Sequence, residues 1–120
     1  MKKVVFTAVI SALLFGNALA RDTKVESAHI ASPNQYELLL DNEVVTVLKM
    51  TLKPGEQDNW HKHNAETVYF EKGGKATITT SEKGMTLEIP DGYVMWHDQW
   101  EHQVKNVGDT TITAIIVEKK

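Results

Sequence analysis

The chain has 120 residues, no cysteine and a formal net charge of −3. That length suits one hydrophobic core and is too short for two. The missing cysteines exclude disulfide staples and thiolate metal sites, so any bound ion must be held by nitrogen and oxygen. The absence of a basic run or stripe argues against nucleic acid or an anionic membrane surface as a partner.

The chain opens on Met1-Lys2-Lys3, an apolar run over residues 4–15 (VVFTAVISALLF) and the small-residue segment Gly16-Asn17-Ala18-Leu19-Ala20. This is the pattern of a cleavable export signal, residues 1–20, with the cut after Ala20. The apolar run is shorter than the roughly 20 residues a membrane-spanning helix needs. No cysteine follows the cut, so lipid attachment is not expected. The double-lysine start points to bacterial export, to the periplasm or beyond, with no membrane association after cleavage. Residues 21–35 lack sustained period and are expected to form a lead-in strand or loose arm, with His29 facing solvent.

From residue 36 to residue 120 the pattern is β throughout. Strands are predicted over 36–40, 44–52, 59–63, 67–70, 75–80, 85–89, 93–96, 102–107 and 111–118. Pro54-Gly55, Gly73-Gly74, Gly84, Pro90-Asp91-Gly92 and Gly108 punctuate them. No window sustains a helical period over three turns. Many short strands in one domain imply an all-β fold, a small barrel or jelly roll.

The segment GEQDNWHKHNAETVYFEKG, residues 55–73, concentrates the chemistry. In a strand His61 and His63 point to one face, about 7 Å apart at their Cα atoms, and can converge on one ion. Asn59 shares that face, while Trp60 and Lys62 point away. A third ligand must come from elsewhere, and Glu66 and His102 are the candidates. Converging imidazoles left without partners would cost roughly 1–3 kcal/mol each, a cost that a divalent cation removes.

Gly55, His61, His63, Glu66 and Gly73 resemble the first motif of the cupin superfamily, with a connection of only Asn64 and Ala65 between His63 and Glu66. His102 and Asn106 are similar to the end of the second motif, Gly92 serving as its leading glycine. Asp98 and Trp100 then stand where the family has a proline and a second glycine. The resemblance spans residues 36–118 and implies metal ligation by His61, His63, Glu66 and His102, with coordination positions left open. It implies oxygenase, isomerase or lyase chemistry on a small organic molecule, Glu66 serving as a base, or else a non-catalytic binding module. Nickel, iron, manganese, copper and zinc all suit such a donor set. Gln57, Asn59, Tyr69, Trp96 and Trp100 are the expected pocket lining, and His97 is expected beside the site or facing solvent. A homodimer through sheet edges is the further expectation that the resemblance carries.

Overall fold

A computed structural model describes residues 24–120; the expected export signal lies outside the described residues. One helical turn, α1 (Ala28–Ala31), precedes nine strands: β1 (Tyr36–Asp41), β2 (Val45–Leu52), β3 (His61–His63), β4 (Glu66–Lys72), β5 (Gly74–Thr79), β6 (Gly84–Ile89), β7 (Val94–His97), β8 (Trp100–Asn106) and β9 (Ile112–Lys119). Every expected strand is present. The main differences are that β3 starts only at His61, while β8 starts two residues early, at Trp100.

The strands form two antiparallel sheets, ordered β1-β2-β9-β4-β7 and β3-β8-β5-β6. Period-two alternation sets which side chains enter the space between them. On β4, Glu66, Val68 and Phe70 are buried and Thr67 and Tyr69 are exposed. On β9, Ile112, Ala114, Ile116 and Glu118 point inward. Leu48, Met50, Leu52, Ala76, Ile78 and Val104 from β2, β5 and β8, with Ala28 and Tyr36, complete the core. Alternation thus also carries two carboxylates, Glu66 and Glu118, into the interior.

The lead-in is neither a strand nor loose. Ala28 and Ser32 are buried, the Lys62 amide donates to the Glu26 carbonyl (2.9 Å), and the Asn59 amide donates to Ser32 Oγ (2.7 Å). Capping the open flank of β3 satisfies backbone groups that this edge strand would otherwise leave unpaired. His29 is consequently half-buried.

Asn106 explains the end of the second motif in structural terms. Its Nδ2 donates to the Leu52 (2.9 Å) and Thr110 (2.8 Å) carbonyls, and its Oδ1 accepts from the Gly108 amide (3.0 Å). One fully buried side chain thus ties the end of β2 to the connection between β8 and β9. Asn106→Ala orphans all three groups and is expected to cost about 3 kcal/mol. Urea unfolding with and without chelator checks this, and the loss should be the same in both.

Candidate metal centre

β3 and β8 are antiparallel neighbours, and their register sets His61 opposite His102 and His63 opposite Trp100. His102 therefore reaches the pair from the adjacent strand of the same sheet. All three histidines are buried, and each offers a ligand nitrogen within 4.8 Å of the others. The cluster has the donors and the spacing to hold a metal ion.

Hydrogen bonds orient two of the rings. A carbonyl oxygen can only accept, so His61 Nδ1 donates to the Asn59 carbonyl (2.7 Å) and its Nε2 keeps the lone pair. His63 Nδ1 donates to Glu118 Oε2 (2.8 Å), which turns its Nε2 toward that of His61 at 3.0 Å. Two lone pairs so close repel unless a cation lies between them. Burial, then the neighbouring His63, pushes His61 down to about 4 and His102 down to about 2, so both are neutral at pH 7. Neutral imidazoles can ligate without first losing a proton.

Glu66 stands beside the cluster, but β3 and β4 do not pair. The Asn64-Ala65 connection instead carries the chain from one sheet to the other. Glu66 Oε1 still comes within 3.5 Å of His63 Nδ1, too far for a hydrogen bond, and Oε2 accepts from Trp100 Nε1. Burial raises the Glu66 carboxyl above the usual carboxylate range, with the His63 and Trp100 contacts opposing. Glu66 Oε1 and His102 Nδ1 are both buried without a hydrogen-bond partner. Such orphans beside paired imidazole lone pairs are what a metal ion would satisfy, so the residues present fit one.

Two carboxylates of the site were not foreseen. Glu118 orients His63 and also accepts from the Asn64 amide (3.0 Å). Asp58 accepts from Tyr36 Oη (2.7 Å) and from the Val104 amide (2.7 Å), and lies 3.7 Å from His61 Nδ1. Burial pushes Asp58 up to about 6. Glu118→Gln keeps an acceptor but removes its charge, and is expected to weaken metal affinity about tenfold. Chelator competition reads this, alongside an unchanged melting profile of the metal-free protein.

Of the expected lining residues only Trp100 faces the interior cavity. Tyr69 and Trp96 point outward, each being out of phase with the inward residues of its strand. Gln57 and Asn59 are exposed on either side of buried Asp58, and Asn59 Nδ2 donates to the Ala31 carbonyl (2.7 Å) instead of facing the histidines. His97 is half-buried and stacks on Trp100, with centroids 3.5 Å apart and rings 16° from parallel.

The two sheets have the cupin double-stranded β-helix fold, and the solved structures agree. A cupin domain from Bordetella pertussis superposes with a TM-score of 0.66 at 26% identity, covering 82% of this chain and 98% of that one. A cupin family protein with a double-stranded β-helix fold from Methanocaldococcus jannaschii gives 0.57 at 20% identity, covering 82% and 84%. A polyketide cyclase from Streptomyces resistomycificus gives 0.57 at 17%, covering 81% and 75%. No protein-family profile matches the sequence, and no curated protein matches it significantly. The chain has the cupin double-stranded β-helix fold with a buried three-histidine cluster.

Proposed function

We propose that the protein is an exported metal-binding cupin that acts on a small molecule at an ion held by His61, His63 and His102. The observation that carries this reading is the 3.0 Å approach of two imidazole Nε2 atoms whose Nδ1 protons are already committed elsewhere. One shared proton could relieve that contact, but not the unpartnered Glu66 Oε1 and His102 Nδ1 as well. A single divalent cation relieves the nitrogens together and gives the carboxylate a counter-charge.

Such an ion supplies Lewis-acid or redox chemistry at its open positions. The chain's own residues do the rest. Asn59 and Glu118 hold His61 and His63 in the ligating tautomer, and Trp100 holds one oxygen of Glu66. Burial raises the affinity of Glu66 for a proton, which suits a general base when its Oε1 is not engaged by the ion. A non-catalytic binding module is the second reading, favoured by the narrowness of the cavity beside the histidines.

The test is metal analysis of the exported protein, followed by turnover and oxygen-consumption assays across small metabolites after loading with iron, manganese, nickel, copper or zinc. Near-stoichiometric metal with turnover supports the enzyme. Metal without turnover, together with a ligand that raises the melting temperature, supports the binder. Less than about 0.1 ion per chain would sink both. Amino-terminal sequencing should begin at Arg21.

A further inference from the structure

The space between the sheets is not filled completely. A cavity of about 50 Å³ lies beside the histidines, its polar end formed by Tyr36, His63, Glu66, Trp100 and His102. Its remaining wall is apolar, with Val68, Phe70, Ile78, Val104 and Ile116 among the contributors. Cavities with such walls stay dry, and one of about 150 Å³ is known to take a benzene-sized guest, whereas a water molecule occupies about 30 Å³. The space here is about a third of what a ring requires. It also contains no lysine or arginine to pair with an anion.

Trp100 forms one wall of this space. It lines the cavity, lies edge-on to His102 with ring centroids 4.1 Å apart, and is tied through its indole N–H to Glu66. His97, which does not line the cavity, stacks against it. Three contacts thus fix one indole ring, and moving it breaks a buried hydrogen bond and a stack.

We propose that this cavity takes one small, uncharged ligand of two or three heavy atoms, in the size class of dioxygen, and that Trp100 excludes anything larger. The proposal deepens the metal-centre reading and rests on it for what the ligand meets at the polar end; the cavity itself does not depend on the ion. Aromatic and phenolic molecules are thereby too large for this interior space.

Two measurements separate these parts. Crystals of the full chain as purified, pressurised with xenon, should show one xenon atom in the cavity, and Ala76→Val, which fills it, should lose that atom. Iron(II)-loaded protein kept free of air should change its visible absorption with nitric oxide, whereas iron(III)-loaded protein should gain no visible catecholate band with catechol. Trp100→Ala should then respond to catechol as well. Should that variant fail to fold, Met95→Ala enlarges the same cavity from β7. Absence of xenon from the wild type overturns the proposal, as does a catechol response of the wild type at the concentration that suffices for the enlarged variant. Failure to load iron, with xenon bound, removes the metal reading and leaves the small-ligand cavity standing.

Discussion

His61→Ala and His102→Ala proteins are expected to be recovered with less than about a tenth of the wild-type metal content. Each change removes one of three nitrogen donors that lie within 4.8 Å of one another, and the donors that remain cannot replace it. His61→Ala also leaves the Asn59 carbonyl and Asp58 without their imidazole neighbour. His102→Ala removes a ring whose Nδ1 is an orphan, so the metal-free variant should fold at least as well as the metal-free wild type. Thermal melts separate the two effects. Metal at a hundredfold excess over its dissociation constant stabilises a folded protein by about 2.7 kcal/mol. The chelated wild type should regain that increment on adding metal, and neither variant should. Equal metal content in all three proteins would mean that the close Nε2 pair shares only a proton.

The largest expected loss of stability comes from a glycine. A Cβ at Gly73 would sit 1.8 Å from the Ile89 carbonyl oxygen and 2.8 Å from the Pro90 carbonyl carbon. Both neighbours are backbone, so no rotamer change relieves the clash, and the corner between β4 and β5 must move. The Gly73 amide, which donates to Asp91 Oδ1 (2.7 Å), moves with it. Gly73→Ala is expected to cost about 3–5 kcal/mol, a large share of a small domain's stability. Gly55→Ala is the control. Gly55 has φ +83° but open space around its Cα, so only the left-handed backbone is penalised, at about 1–2 kcal/mol. The two glycines close one motif for different physical reasons. Urea midpoints that fell equally would contradict the close-approach account.

Much of this was readable before any coordinates. β-branched runs and turn residues placed all nine strands, and alternation reported burial on β4, β8 and β9 but not on β1 and β6, which are exposed along nearly their whole length. The inward choice was also latent for the aromatics: once Glu66 faces in, Tyr69, three positions on, must face out. Trp96 pairs with outward Thr67 and Trp100 with inward His63, but those registers involve strands distant in sequence. Glu118 had no such signal. At the end of the run Ile-Ile-Val-Glu-Lys it reads as an ordinary strand terminus. Only the pairing of β9 with β4, which sets Glu118 beside Glu66, reveals what it does.

By itself, the order of residues determined the all-β class and the strand sequence through local periodicity, and the facing pair His61 and His63 through their spacing; His102 was picked out by its resemblance to the second cupin motif. The tertiary structure alone decided that His102 adjoins His61 within one sheet, that Glu118 orients His63, and that Trp100 narrows the cavity. Strand pairing between segments tens of residues apart is set by the packing of the whole core, which no local pattern encodes.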